Sequence, residues 1–105
     1  YCGLAGGSLY GATKAALAGY SKALAIELAP RGIRVNTVHP GMIQTPLTSN
    51  TSLSEELLEE DAKNYPLGRY GKPEEVAAAM CYLLSDATVW MTGSQLLLDG
   101  GYSLK

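Results

Sequence analysis

Apolar residues recur at helical spacing in the stretch from about Leu9 to Ala29. Side chains three or four residues apart lie on one face of a helix, so a row of large apolar residues at that spacing indicates an amphipathic helix. The row consists of Leu17, Tyr20, Leu24 and Leu28. Pro30 and Gly32 follow directly, and glycine suits the left-handed residue that ends a helix. The pattern predicts a long first helix that buries its large apolar side chains.

Two short segments have the pattern of strands. The stretch from Ile33 to Val38 is rich in β-branched residues and ends at Pro40, and Gln95 to Leu98 is a short aliphatic run. Polar and apolar residues are mixed in the first segment. This is typical of a strand that is covered on both faces in a parallel sheet.

Two further helices are predicted between these strands. The first is acidic and spans residues 52–64. The second begins at Pro73, which suits the first helical position, and Glu74 and Glu75 favour the positive end of the helix dipole. Its predicted buried positions are Val76, Met80, Leu83 and Leu84. We also expect Cys81 to be packed in the core.

The order helix, strand, helix, helix, strand is the alternation of an α/β fold with a parallel sheet. Such a sheet needs more than two strands and helices on both faces. The first residue is Tyr1, and the residues after it have no signal-peptide pattern. We therefore expect an internal starting point, with residues 1–105 forming the C-terminal part of one domain.

Composition and charge narrow the class of protein. The 105 residues are enough for one small core, and 47% hydrophobic with 17% charged residues is typical of a globular chain. The net charge of -2 gives no attraction to nucleic acid or to an anionic membrane surface. The longest apolar runs are too short to span a bilayer. We expect neither a nucleic-acid partner nor a membrane partner.

Residues of the types that commonly bind metals or form disulfides are few. Cys2 and Cys81 are the two cysteines and His39 is the single histidine, and their spacing matches neither a metal site nor a disulfide framework. We therefore expect no metal and a reduced, cytoplasmic chain. We interpret His39 as a structural residue.

Tyr10 and Lys14 stand in a run that otherwise consists mainly of alanine, glycine and leucine. Residues four apart on a helix lie on the same face, so the phenol and the ammonium can lie side by side. One interpretation is an ordinary surface pair, with the tyrosine ring over the lysine stem. The other is a catalytic pair, and the spacing alone does not separate the two.

Five stretches, in order along nearly the whole chain, resemble the short-chain dehydrogenase/reductase family in its shorter, single-domain branch. They match the family's active-site Tyr-x-x-x-Lys pair, its sixth strand, its nicotinamide loop, the entry to its last long helix and its C-terminal strand. The stretches are Tyr10 to Lys14, Ile33 to Val38, Pro40 to Thr45, Arg69 to Val76, and Gly93 with Asp99-Gly100-Gly101. The resemblance implies an α/β fold, namely the C-terminal part of a Rossmann-like doubly wound parallel sheet with helices on both faces.

The resemblance also implies an oxidoreductase that uses NAD or NADP to transfer a hydride between the nicotinamide and a ketone or secondary alcohol. Tyr10 is the expected general acid/base. Lys14 is its expected electrostatic partner and donates a hydrogen bond to the cofactor ribose, so both are also expected cofactor contacts. The residue types suit this chemistry, because a free tyrosine ionises only near pH ~10 and a neighbouring ammonium favours the phenolate.

The resemblance assigns the loop from Pro40 to Thr45 to the nicotinamide. It implies that backbone groups of Ile43 bind the carboxamide and that the Thr45 hydroxyl lies near the carboxamide or the pyrophosphate. Gly41 would let the backbone come close. Taken alone, Pro40 and Gly41 are equally well explained as an ordinary turn after a strand.

Other parts of the chain match features of the family that take no part in its chemistry. Residues 48–64 resemble its variable substrate lid, which is expected to be mobile. Tyr65, Tyr70 and Trp90 are expected in the core or at interfaces. In the family, the helix that carries the tyrosine packs against its copy in another subunit, and the last helix and strand form a second interface. A homo-oligomer, either a dimer or a homotetramer, is therefore implied.

Four features of the family have no match here: the glycine-rich first turn, the acidic or basic residue that distinguishes NAD from NADP, the upstream catalytic serine and the catalytic asparagine. Ser8 lies too close to Tyr10 to be that serine. Two hypotheses follow. The chain is either part of an NAD(P)-dependent carbonyl reductase or alcohol dehydrogenase, or a truncated, non-catalytic chain that acts only through oligomer surfaces. Secondary alcohols and hydroxysteroids are the first substrate class by analogy, and 3-oxoacyl groups are the next.

Overall fold

The computed structural model describes residues 6–46 and 55–104. Its helices are α1 at Ser8–Leu28, α2 at Glu55–Ala62 and α3 at Pro73–Leu84, and its strands are β1 at Thr37–Pro40 and β2 at Gln95–Leu98. Single 3-10 turns lie at Ala29–Arg31, Asp86–Thr88 and Tyr102–Leu104. Residues 48–54 of the expected lid, which include the start of the predicted acidic helix, lie outside the described residues. Each helix in the described ranges is too short or too polar to cross a membrane.

The two strands pair in a parallel sheet. The Thr37 amide donates to the Ser94 carbonyl and the Gly41 amide donates to the Leu98 carbonyl, each over 2.9 Å. The residue numbers of donor and acceptor rise together, as in a parallel ladder. The predicted α/β fold with a parallel sheet is thus confirmed.

The first strand begins later than the sequence predicts, at Thr37 instead of Ile33. The reason lies in the segment opposite it, because Gly93 has a φ of 71° and turns the chain just before β2. The residues before Thr37 are held by hydrogen bonds that do not belong to the strand ladder. Val35 donates its amide to the Thr92 hydroxyl over 3.1 Å and accepts the Gly93 amide over 2.7 Å.

The described chain divides into two compact units, Tyr1–Thr37 with Tyr82–Leu96 and Val38–Cys81 with Leu97–Lys105. In the first unit, α1 buries Ala18 and Ala25, whereas Leu17 is 52% and Tyr20 is 61% exposed. The prediction that the large apolar row is buried is therefore wrong for these two residues. The buried side chains of α1 are both alanines, and a Cβ at Gly93 would lie 3.6 Å from the Ala25 Cβ.

The end of α3 shows the same difference between pattern and burial. Leu83 is buried, but Met80 and Leu84 are exposed, and so is the free thiol of Cys81. The prediction of a core cysteine is therefore wrong. The face that carries these three side chains has no covering element among residues 6–46 and 55–104, so an amphipathic pattern alone did not reveal which side is covered.

Within the first unit, the Arg34 side chain binds one carbonyl in the last turn of α3 and two carbonyls beyond it. The Arg34 guanidinium donates to the Leu83 carbonyl over 2.9 Å, to the Ser85 carbonyl over 3.4 Å and to the Met91 carbonyl over 3.2 Å. The last carbonyls of a helix have no intrahelical partner, and a cationic side chain there also complements the helix dipole. The hydroxyl of Thr88, a fully buried residue, donates to the same Leu83 carbonyl.

The second unit has an aromatic cluster. Tyr65 and Tyr70 are buried and meet edge to face with their ring centroids 5.5 Å apart, and Tyr102 lies 4.8 Å from Tyr65. The Tyr70 hydroxyl donates to an Asp61 carboxylate oxygen over 2.6 Å. The predicted core role of Tyr65 and Tyr70 is confirmed, whereas Trp90, in the first unit, is 98% exposed and is not a core residue.

Burial and the hydrogen bond to Asp61 raise the pKa of Tyr70 to about 12, from 10.0. The protein should therefore lose stability as the pH rises from about 10 to about 12, because the unfolded chain releases this proton first. We expect Tyr70→Phe to be less stable than the wild type at neutral pH and to lose less further stability over that range. Urea unfolding at several pH values, with Tyr82→Phe as the half-exposed control, measures this. An equal alkaline loss in both variants would contradict the assignment.

Candidate active site

Tyr10 and Lys14 lie on α1, which begins at Ser8. Its first turn forms where glycine gives way to helix formers, and the Gly11 amide donates to the Gly7 carbonyl over 2.8 Å. The helical spacing brings the Lys14 Nζ to 5.2 Å from the centroid of the Tyr10 ring. This distance is that of a cation–π contact. The predicted proximity of the two side chains is therefore observed.

The pair is open to reactants, since Tyr10 is 69% exposed and Lys14 is exposed as well. The hydroxyl of Thr13, one residue before the lysine, donates to the Tyr10 carbonyl over 2.8 Å. This bond lies within the helix and leaves the phenol accessible. An accessible phenol beside an ammonium can donate a proton or take one up at its oxygen.

The loop that follows β1 lies in the second unit, whereas Tyr10 and Lys14 lie in the first. Pro40 is exposed and is the last residue of β1. After it, Gly41, Ile43 and Thr45 are half-buried and the residues between them are exposed. This period of two is that of an extended chain. Three of the predicted cofactor-binding residues therefore share one side of the loop.

Ile43 forms a parallel bridge with Gly71. The Gly71 amide donates to the Met42 carbonyl over 3.0 Å, and the Gln44 amide donates to the Gly71 carbonyl over 2.9 Å. Backbone groups of successive extended residues point to opposite sides. The amide and carbonyl of Ile43, between these two bonds, therefore point away from Gly71. This geometry fits a residue whose backbone groups are to meet a carboxamide.

Gly41 is constrained by the chain itself. Its amide is bonded to Leu98, and a Cβ at position 41 would lie 3.0 Å from the Asp99 Cα and 3.1 Å from the Asp99 Cβ. Real Cβ contacts are seldom this short, and a backbone atom cannot turn aside as a side-chain end can. The sequence suggested that glycine allows close approach to a cofactor, and the structure shows a close approach to the residue after β2.

Asp99 organises the turn after β2. Its carboxylate accepts the Ser103 amide over 2.9 Å and the Gly101 amide over 3.0 Å. These hydrogen bonds, with those to Ser103 the largest cause, hold the pKa of Asp99 below its ordinary value. Gly100 and Gly101 have φ values of 60° and 84°, which only glycine adopts easily.

The segment that contains Gly71 is fixed by an ion pair. The Arg69 guanidinium donates to both carboxylate oxygens of Glu75, over 2.9 Å and 2.6 Å, and the Lys72 amide donates to the same carboxylate over 2.8 Å. The bonds from Arg69, followed by that from Lys72, lower the pKa of Glu75 to about 2. The carboxylate therefore stays charged across the physiological range.

The sequence pattern assigns no role at the site to Gly71 or Glu75. One signal was present, because Glu75 is the third residue of α3, where a carboxylate reaches back to the first free amide of the helix. No local spacing links Gly71 with Ile43. Within the described ranges, no three His, Cys, Asp or Glu side chains are grouped to hold a metal ion.

Comparison with known proteins gives the family. The profile of the family described as Enoyl-(Acyl carrier protein) reductase matches residues 2–103. A solved short chain dehydrogenase family protein from Francisella tularensis subsp. tularensis SCHU S4 superposes with a TM-score of 0.82 at 38% identity, over 91% of this chain and 43% of that one. The chain belongs to the short-chain dehydrogenase/reductase family.

Two further members of the family are similar to the chain. Cyclohexanol dehydrogenase of Acinetobacter sp. (strain SE19) is 46% identical over 91% of this chain and 36% of its own length. A 4-hydroxyisoleucine dehydrogenase mutant, solved as a complex with NADH and succinate, superposes with a TM-score of 0.85 at 35% identity, over 93% of this chain and 40% of that one. The chain thus spans well under half the length of these dehydrogenases.

Proposed function

We propose that residues 1–105 supply the C-terminal part of an NAD(P)-dependent oxidoreductase that interconverts a ketone and a secondary alcohol. The observation that carries this proposal is the contact of Tyr10 with Lys14 on one exposed face of α1, in a chain that matches the dehydrogenase/reductase family almost throughout. As an isolated pair, the two side chains would be an ordinary surface contact. The family match is what favours the catalytic interpretation.

Tyr10 is proposed as the general acid/base. When the ketone is reduced, its phenolic oxygen gives a proton to the carbonyl oxygen, and in the reverse direction it takes the proton from the alcohol. Lys14 stabilises the phenolate through its charge. The bound nicotinamide supplies or accepts the hydride. Holding both side chains on one helix keeps them in a fixed relation, which proximity catalysis requires.

The loop Pro40 to Thr45 is proposed to receive the nicotinamide. The fit rests on the backbone of Ile43, whose amide and carbonyl point away from Gly71, and on the shared side of Gly41, Ile43 and Thr45. The complex of the 4-hydroxyisoleucine dehydrogenase mutant contains NADH, which supports a nicotinamide cofactor here. Lys14 is proposed to donate to the ribose.

A secondary alcohol is the proposed substrate class. Cyclohexanol, named in one of the similar dehydrogenases, is a secondary alcohol, and its oxidation product is a ketone. We further propose that the protein acts in the cytoplasm, because the exposed free thiol of Cys81 suits a reducing compartment.

The experiment is a fluorescence titration of NADH and of NADPH into two proteins. One is the 105-residue chain, and the other is the longest form that its reading frame encodes. Saturable binding followed by oxidation of cyclohexanol by the longer form, with neither in the 105-residue chain, is the result expected for a C-terminal part. If no form binds either nucleotide, the proposed oxidoreductase function is wrong.

A second candidate function is assembly without catalysis, and the exposed apolar residues of the first unit favour it. Ile26, Leu84 and Trp90 are each more than three-quarters exposed, and large apolar groups in contact with water usually mark a surface that another chain or segment covers. We propose that these residues contribute to a homo-oligomer, either a dimer or a tetramer. Light scattering on the longest form tests this, and a monomer at all concentrations would contradict it.

A further inference from the structure

We propose that Gly71, held by the Arg69–Glu75 ion pair, is a positioning residue for the loop that receives the nicotinamide. This inference rests on the proposed function of the loop, because it concerns how the backbone of Ile43 is aimed. All the residues that carry it lie in the second unit. The sequence assigned Ile43 to cofactor binding, but it gave no such part to Gly71, Arg69 or Glu75.

The backbone bridge between Gly71 and Ile43 is the first feature that supports this role. Gly71 binds the carbonyl of Met42 and the amide of Gln44, which are the peptide groups on either side of Ile43. Because the Met42 carbonyl and the Gln44 amide are both held by Gly71, the amide and carbonyl of Ile43 are fixed in the opposite direction. Gly71 therefore sets the direction of the groups proposed to meet the carboxamide.

The second feature is the absence of a side chain at position 71. A Cβ there would lie 2.7 Å from the Ile43 Cδ1, which is closer than real Cβ atoms approach. The φ of Gly71 is not in the left-handed region, so backbone conformation does not call for glycine here, and the effect of a larger residue would act through its contact with the end of the Ile43 side chain. A methyl group at position 71 would have to displace the Ile43 side chain, its backbone, or both.

The third feature is the ion pair that holds the Gly71 segment. The Glu75 carboxylate is bonded to the guanidinium of Arg69 and to the amide of Lys72, which are the residues two before and one after Gly71. Three hydrogen bonds from both flanks converge on one carboxylate. The side chains of Arg69 and Glu75 are each about half exposed, so the ion pair itself stabilises the fold modestly and its main effect is geometric.

The decisive test is a mutant cycle in the longest form that the reading frame encodes. Gly71→Ala should weaken NADH binding about tenfold, which corresponds to about 1.4 kcal/mol. Ile43→Val removes only Cδ1, the atom that the new methyl group would meet, and it is the background in which the effect of Gly71→Ala is measured a second time. The double variant Gly71→Ala/Ile43→Val should recover most of the affinity. Thermal unfolding of all three variants separates a loss of NADH affinity from a general loss of stability, because a positioning role predicts weaker binding at temperatures where every variant is fully folded.

The ion pair is tested by a matched pair of neighbouring carboxylates. Glu74 and Glu75 both lie in the first turn of α3, but the bonds to Arg69 and Lys72 are made by Glu75. Glu75→Gln should raise the NADH Kd and Glu74→Gln should leave it unchanged, with thermal unfolding recorded for both.

Each outcome decides between the claims. If the wild type binds NADH and Gly71→Ala binds equally well, the positioning role is wrong while the nicotinamide function stands. If Gly71→Ala is weaker but Ile43→Val gives no recovery, the contact between the two side chains is not the route and the proposal is overturned as well. If the wild type binds no nicotinamide, both proposals fail together.

Discussion

Tyr10→Phe is expected to abolish most ketone reduction, lowering kcat by about 10²- to 10⁴-fold, because it removes the group that gives the proton to the carbonyl oxygen. NADH affinity should remain largely intact. The substitution removes one hydroxyl and keeps the ring, so the contact of the Lys14 ammonium with that ring can persist. The measurement is steady-state ketone reduction and NADH binding in the longest form of the protein.

The control for this variant is Tyr20→Phe. Tyr20 also lies on α1 and is also mostly exposed, so the two substitutions remove the same hydroxyl from the same helix. We expect full activity in the control. Turnover retained by Tyr10→Phe would remove this residue from the mechanism and would restore the surface-pair interpretation.

Lys14→Met is expected to lower both kcat and the affinity for NADH. The ammonium is proposed to act twice, as the charge that favours the phenolate and as a donor to the ribose. Removal of one preorganised donor at a reacting group costs about a hundredfold in kcat. Methionine keeps an unbranched stem over the Tyr10 ring, so that the loss reports the charge and not the packing. Stopped-flow reduction combined with NADH titration separates the two effects.

Lys22→Met provides the comparison, since Lys22 is an exposed lysine on the same helix. It should leave both quantities unchanged. If Lys14→Met lowers kcat but binds NADH normally, the ribose contact is wrong and the electrostatic role stands. If Lys14→Met binds NADH weakly but has a normal kcat at saturation, the electrostatic role is wrong and the ribose contact stands.

Features that depend on near neighbours in the chain were predictable from the sequence. Spacing alone placed Tyr10 and Lys14 on one helical face, and Pro73 marked the start of α3. Gly32 ends the turn after α1 with a φ of 73°, as its place after Pro30 suggested. Each of these depends on local backbone geometry, which a few residues determine.

Burial was predicted less well, for a physical reason. An amphipathic pattern shows which side chains share a face, but the covering element determines whether that face is buried. In the described part of the chain, the face of α1 that carries Ala18 and Ala25 is covered and Leu17 is exposed. Cys81 on α3 is exposed as well. The bridge between Ile43 and Gly71 was missed because the two residues lie far apart in the sequence. The periodicity of a short stretch carries no information on which distant residue will pair with it.

The close approach of Gly41 to Asp99 has a consequence for anyone who redesigns the nicotinamide loop. A side chain at position 41 would meet the main chain of Asp99, whose turn is fixed by its own bonds to Gly101 and Ser103. Libraries that vary the loop alone would therefore select against larger residues at position 41. Varying positions 41 and 99 to 103 together would allow the C-terminal turn to withdraw, so that the end of the chain becomes a means of reshaping the loop.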